Sequence, residues 1–385
     1  MSLIKNFFKI IIFKILSFRK LKNIIIFESS PDLSGNSFEL YKYAKKEKLD
    51  KKYKIIWAVS NYNQCKLKYK DVEFIKYPTN RFEQIKFLWK ISQAKCLIYE
   101  NKELKKINKK QYAIYLTHGT PLKNTHSYMW QQENIDHVLF QSNFVKENAK
   151  RLFNVNDNQL VCLGFPRNDL LFSNINLNHY LKHEYKKIVV WLPTFRQYKD
   201  NKRVDSNFSH PLGIPIFKEE SQMIQLNNFL NNHNSLLLIK PHPGQLTKYL
   251  KNINLTNVKI IFDQDINDMN IQLYELLAGS DALITDYSSV YFDYLLTNKP
   301  IGITIDDIEN YRNTLGFAFE NVESILVGEK ICEFKDLVLF FDNLINDIDS
   351  YYEARRKNCD LFNYYKDNNS TKRVYDFIIN NMNNR

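Results

Sequence analysis

Short apolar, β-branched runs alternate along the chain with stretches whose hydrophobic positions recur at helical spacing. In the first half the runs are Ile24–Glu28, Tyr53–Val59, Val72–Tyr77, Cys96–Tyr99, Tyr112–Thr117, His137–Phe140 and Leu160–Leu163, and each predicts a strand. Between them Ser37–Glu47, Arg81–Gln93 and Ser142–Phe153 predict helices. A second series follows, with strands expected at Lys187–Leu192, Leu236–Lys240, Lys259–Phe262, Ala282–Thr285 and Pro300–Thr304. Strands that are apolar throughout are buried on both faces, so the alternation predicts an α/β fold with two parallel-sheet series. The seam is expected in the polar, Asn-rich stretch Gly164–Lys187. From Phe334 on, Phe334–Asn346, Tyr351–Tyr365 and Thr371–Asn381 read as helices that pack back onto the sheets. The expected division is a segment 1–22, a first lobe 23–180, a second lobe 181–333 and C-terminal helices 334–385. Residues 197–215 form a long polar loop, and loops of that length are often functional.

Composition narrows the class. The chain has 385 residues, 44% hydrophobic and 25% charged, which is globular usage and excludes a disordered tail or a low-complexity scaffold. Length alone suggests two to three domains at about 150 residues each. Its five cysteines, Cys65, Cys96, Cys162, Cys332 and Cys359, form no CxxC pair, so a zinc ribbon or redox dithiol is not expected. Cys96 and Cys162 lie in apolar runs and read as buried reduced thiols of a reducing compartment.

The net charge is +12, and residues 1–22 carry half of it as Lys5, Lys9, Lys14, Arg19, Lys20 and Lys22 without one acid. The phenylalanines and isoleucines among them suggest an interfacial helix on an anionic membrane surface. The bland alternative is a first helix packed on the domain. Lys9 and Lys14 interrupt the stretch, so neither a spanning helix nor a signal-peptide core is expected. No nucleic-acid-binding motif accompanies the charge.

Polar residues gather where strands end, which is where open α/β sheets bind ligands. His118-Gly119-Thr120-Pro121-Leu122-Lys123 puts a histidine at a strand end, with Thr120 expected to cap a helix that begins at Pro121. His118 is placed as a general base would be. In Gly164-Phe165-Pro166-Arg167-Asn168-Asp169, Arg167 is a candidate phosphate ligand, with Asp169 holding it or capping a helix. Pro193-Thr194-Phe195-Arg196 offers a hydroxyl and a bidentate fork to phosphate oxygens. Lys240-Pro241-His242-Pro243 brings a cation and a second histidine off one strand on a stiff backbone. Thr285-Asp286-Tyr287-Ser288-Ser289 runs from a strand into two serines that open a helix, an anion seat without a glycine-rich loop. Asp293 follows Ser289 by one turn, where a carboxylate can accept ribose hydroxyls. The other histidines, His210 among them, are read as bystanders, and Asp306-Asp307 as a lone acidic pair. No HExxH motif and no covalent triad signature occurs, and no metal or other cofactor is expected.

These five motifs, in this order, resemble the CDP-glycerol glycerophosphotransferases: the teichoic-acid primases and polymerases and their capsule relatives. The resemblance covers roughly residues 24–320. Ala318 departs from it where an aromatic is expected, as does Leu326-Val327-Gly328 where Pro-Gly is usual. It implies two Rossmann-like lobes of the glycosyltransferase-B type, with the nucleotide in the C-terminal lobe and the acceptor facing the N-terminal one. It implies transfer of glycerol phosphate, or a similar polyol phosphate, from a CDP-activated donor to a lipid-linked or glycan hydroxyl, at the cytoplasmic face of the membrane. Arg167, Arg196, Lys240 and His242 would then clamp the phosphates without a metal. Thr194, Ser288 and Ser289 would bond the diphosphate and Asp293 the ribose, with Gly119, Thr120, Pro121, Lys123, Pro193 and Asp286 completing the substrate site. His118 would take the acceptor proton or bond the phosphoryl group. The rivals are an inverting nucleotide-sugar transferase on the same fold and, remotely, a non-catalytic module for membranes or anionic polymers.

Overall fold

The computed structural model describes residues 13–125, 135–196, 203–245 and 254–385. Of the basic segment expected at 1–22, residues 1–12 lie outside the described residues, as do 197–202 of the polar loop. The described chain falls into two compact units. One holds the residues up to His118, those from 135 to Asp169, and Asp367–Arg385; the other holds Gly119 to 125 and the described part of Leu170–Lys366.

The first unit carries a parallel sheet of β1 (Lys22–Glu28), β2 (Lys54–Val59), β3 (Glu73–Lys76), β4 (Ala94–Tyr99), β5 (Tyr112–Tyr115), β6 (His137–Phe140) and β7 (Leu160–Cys162). Their order across the sheet is β3-β2-β1-β4-β5-β6-β7, so the build reverses direction between β1 and β4. Phe27 of β1 sits in register with Trp57 on one side and Ile98 on the other, and all three are buried. A strand flanked on both edges and covered on both faces has no position for a polar side chain, which is why Ile24–Phe27 is apolar without a break. The unit's core continues into Tyr41 of the helix Gly35–Lys46 and into Val374, Ile378 and Met382 of the last helix, Ser370–Asn383. Asp169 fixes that last helix by accepting from the backbone N–H of Ser370 and of Thr371, at 2.9 and 2.8 Å.

The second unit repeats the scheme with β8 (Lys187–Leu192), β9 (Ser235–Ile239), β10 (Val258–Ile260), β11 (Ala282–Thr285), β12 (Ile301–Thr304) and β13 (Glu329–Ile331). The order is β10-β9-β8-β11-β12-β13, with the reversal between β8 and β11. The strand β13 is absent from the sequence expectations. It is three residues of a sheet edge, two of them charged, and carries no apolar run to betray it. The helices Phe334–Ile345 and Tyr352–Phe362 belong to this unit, whereas Ser370–Asn383 belongs to the first. All five cysteines are free; Cys65, Cys96 and Cys359 are buried, Cys162 partly so, and Cys332 is exposed.

Candidate active site

In the second unit the segment after β8 turns its polar groups inward. Arg196 is only 8% exposed. Its Nε and Nη2 donate to the two oxygens of Asp307 at 2.7 and 2.9 Å. Nη1 donates to Asp286 Oδ2 at 2.8 Å and to Thr194 Oγ1 at 2.9 Å. Asp286, just past β11, also accepts from the Thr194 amide and hydroxyl. Burial opposes the guanidinium charge, but Asp286 and Asp307 more than offset it and hold the group above its ordinary value. The fork expected to meet phosphate oxygens is thus spent on two buried carboxylates. Pro193 and Thr194 are buried with it. Asp307, half of the pair read as lone, is the carboxylate that Arg196 needs, and Asp306 lies 2.8 Å from Nε2 of the supposed bystander His210.

A second cluster, which opens to solvent at His242, lies beside this buried one. The Phe195 ring is 4.9 Å from the His242 ring, and Lys123 Nζ and the Arg203 guanidinium each stand 5.2 Å from its centre. Asp205, fully buried, ties the cations together: Lys123 Nζ lies 3.1 Å from Oδ2, Arg203 donates to both oxygens, and the Tyr311 hydroxyl donates to Oδ2 at 3.0 Å. Two cations share one carboxylate, which leaves an excess of positive charge. His242 keeps an exposed face, yet desolvation and then the charges of Lys123, Lys240 and Arg203 push its imidazole down to about 4. Its Nδ1 accepts from the Gly244 amide at 2.9 Å. A neutral imidazole with Nδ1 as acceptor carries its proton on Nε2, which leaves Nε2–H as a donor.

Lys123 reaches this cluster by a route other than the expected one. No helix begins at Pro121. Instead Lys123 bridges Phe317, with the Ala318 amide donating to Leu122 O at 2.8 Å and the Asn124 amide to Gly316 O at 3.1 Å. The segment is extended because residues 316–318 supply its hydrogen bonds, so no helix stands there for the buried Thr120 to cap. Lys240 is 6% exposed and pairs with Asp263 at 2.8 Å. Ser288 and Ser289 are partly exposed at the start of the short helix Val290–Tyr294. Asp293 is fully buried and accepts from the Tyr274 hydroxyl.

In the first unit His118 is exposed, directly after the buried Thr117. Thr117 has a φ of +52°. A β-branched residue in that region is strained by on the order of 1–3 kcal/mol. Arg167 points toward this turn: its Nη2 donates to the His118 carbonyl at 2.9 Å, and Nη1 lies 3.8 Å from Glu100 Oε1. Glu100 is buried just past β4, and burial pushes its carboxyl up to about 7 against the pull of Arg167. Glu28, the last residue of β1, is fully buried; its Oε2 accepts from the amides of Glu100 and Asn101 at 3.1 and 2.9 Å. The sequence reading missed Asp205, Arg203, Glu28 and Glu100. Arg203 and Asp205 lie in the long polar loop it did single out; the two glutamates end strands but sit in no motif.

The family model described as CDP-Glycerol:Poly(glycerophosphate) glycerophosphotransferase matches residues 10–380. A teichoic acid poly(glycerol phosphate) polymerase of Bacillus spizizenii is 28% identical over 393 residues, covering 93% of this chain and 92% of that protein. A teichoic acid glycerol-phosphate primase of Bacillus subtilis is 28% identical over 309 residues, covering 78% of this chain and 72% of that protein. Among solved structures, the wall teichoic acid polymerase TagF matches with a TM-score of 0.72 at 22% identity, over 94% of this chain and 90% of that one. A putative UDP-N-acetylglucosamine 2-epimerase from Listeria monocytogenes gives 0.55 at 11% identity, over 94% and 98%. These likenesses are of fold: two Rossmann-like units of the glycosyltransferase-B type.

Proposed function

The chain belongs to the CDP-glycerol:poly(glycerophosphate) glycerophosphotransferase family, and from that premise we infer which of its residues carry the transfer. It is a CDP-glycerol glycerophosphotransferase of teichoic-acid synthesis, moving glycerol phosphate from CDP-glycerol to a hydroxyl and releasing CMP. The acceptor oxygen forms a bond to the phosphorus that bears glycerol, the bond from that phosphorus to the CMP oxygen breaks, and the hydroxyl proton must be taken up. Such a reaction asks for in-line placement and for neutralised phosphate charge.

The observation that carries our site assignment is the open cluster of Lys123, Arg203 and His242 around Phe195. Lys123 and Arg203 supply the positive charge for the diphosphate. His242 gives its Nε2–H to a phosphate oxygen without needing a proton from solvent, and Ser288 and Ser289 add hydroxyl donors. Arg196, Thr194 and Asp286 form the rigid floor under the cluster, and Lys240 adds charge from behind its pair with Asp263. His118 takes the proton from the acceptor hydroxyl. Asp293 ties the helix that follows the serines to Tyr274 rather than reaching a ribose.

The acceptor is a lipid-linked or glycan hydroxyl, and the enzyme meets it at the cytoplasmic face of an anionic membrane. Supporting this, the helix Arg81–Ile91 exposes Phe82, Ile85 and Trp89 beside Arg81 and Lys86. Arg19 donates to the Trp89 carbonyl, and Ile15 and Phe18, just before it in the chain, are exposed as well. Among the described residues no helix is long and apolar enough to cross a membrane.

The test is nucleotide release with a synthetic lipid-linked disaccharide in anionic vesicles. CMP from CDP-glycerol is expected, at full rate in excess EDTA, with no UDP from a UDP-sugar. UDP without CMP would overturn the assignment, and a loss restored only by magnesium would overturn the metal-free clamp. Replacing Phe82, Ile85 and Trp89 by serine should weaken vesicle binding and slow the lipid acceptor more than a soluble one; equal rates would remove the membrane contact.

A further inference from the structure

Three successive carbonyls, those of Leu116, Thr117 and His118, each accept a hydrogen bond from a side chain of the first unit. The Asn36 amide nitrogen donates to Thr117 O at 2.9 Å and, more weakly, to Leu116 O at 3.4 Å. Arg167 Nη2 donates to His118 O at 2.9 Å. The two donors are themselves locked together, because the Arg167 backbone N–H donates to Asn36 Oδ1 at 3.0 Å. Thr117 adds its own hydroxyl bond to Leu139 O at 3.2 Å. Asn36 is fully buried and enters this turn from the second position of the helix Gly35–Lys46. The helix start is in turn set by Glu100, whose Oε2 accepts from the Ser37 amide at 3.0 Å. A Cβ at Gly35, where φ is +64°, would collide with the same carboxylate.

A buried asparagine that satisfies both ends of its amide on a strained turn is not spare packing. Released from these bonds, Thr117 would relax toward negative φ and swing the residue that follows it. We propose that Asn36 is a positioning residue for His118, acting with Arg167 to hold the Leu116–His118 turn in its strained form and so aim the imidazole. The proposal rests on His118 being the proton acceptor, and it gives Arg167 a positioning duty instead of a phosphate contact.

The experiment is steady-state CMP release from CDP-glycerol with the lipid-linked disaccharide acceptor. His118→Ala is measured first: a variant that keeps its rate overturns the proton-acceptor role itself, before Asn36 is touched. With that role secure, Asn36→Ala should lower kcat about 10²-fold, the scale of a misplaced catalytic group. KM for CDP-glycerol should hold, because Lys123, Arg203 and His242 belong to the other unit. Adding Thr117→Gly should recover part of the lost kcat, since glycine takes positive φ without strain. In the His118→Ala background Asn36→Ala should cost nothing further. Should Asn36→Ala fail to fold by circular dichroism, Arg167→Lys, which keeps the charge but shortens the reach to His118 O, carries the same expectations for kcat, KM and the His118→Ala background. Unchanged kcat, a loss in KM instead, no rescue by Thr117→Gly, or equal loss with and without His118 would each overturn the proposal.

Discussion

Where the first sheet reverses its build, between β1 and β4, the chain presents two buried carboxylates, Glu28 and Glu100; between β8 and β11 it presents Arg196 against Asp286. The two sheets share one strand order about that reversal, and in such folds it is where a phosphate ester is received. In the first unit the helix start that would receive it is filled by the chain's own carboxyl, since Ser37 already donates to Glu100. A diphosphate there would find that amide already taken by a carboxyl. In the second unit Arg196 pairs with both Asp286 and Asp307, while Lys123 and Arg203 gather around Phe195 with Asp205 between them. One topology thus carries two different polar fillings at its switch point, and our proposal that the second unit takes the anionic donor follows that difference.

The comparison can be broken most severely at Arg196. Arg196→Met leaves Asp286 and Asp307 buried without their counter-charge, and should cost about 3–5 kcal/mol in urea unfolding. If stability holds and only donor affinity falls, Arg196 is an outward clamp after all. A smaller effect is expected at His242. His242→Ala should lower kcat about 10²- to 10³-fold, as loss of a preorganised donor does, whereas His242→Gln, which still donates, should keep more. The same residue has a pH signature. Its pKa is depressed in the folded chain, so the stability it contributes is present above its ordinary value near 6.5 and is lost as the pH falls toward about 4. His242→Gln should flatten that part of the stability curve, and an unchanged curve would refute the shift. The smallest effect sharpens the other side. Glu100 is raised to about 7, so the folded chain holds a proton that the unfolded one releases near 4.5. Stability should therefore decline as pH rises from about 4.5 to 7, and Glu100→Gln should remove the slope.

The strands were legible because burial on both faces writes an unbroken apolar run, as in Ile24–Phe27 or Leu236–Ile239. Strand-end motifs were legible for a related reason: polarity that follows such a run at once has few structural uses. What the sequence does not carry is the direction a side chain takes there. Arg196 and Lys123 look alike as cations after a strand, yet one is buried by Asp307, 111 residues further on, and the other is brought to Asp205 by a backbone bridge to Phe317. Asn36 is invisible for a different reason. In an Asn-rich chain one more asparagine at a helix start gives no signal until its partners, 81 and 131 residues away, are in place.

The capping of the last helix by Asp169 bears on how the protein is made. The second unit is nearly continuous in sequence, but the first needs Val374, Ile378 and Met382 to cover the helix Gly35–Lys46. On the ribosome, therefore, of the two units the one that is begun first is completed last. While residues beyond 370 are still in the exit tunnel, the inner face of the opening helix waits uncovered as the later unit folds. Vectorial synthesis usually lets domains close in the order they emerge; here the returning helix inverts that order and leaves the His118 unit the more exposed to chaperones and proteases during its own translation.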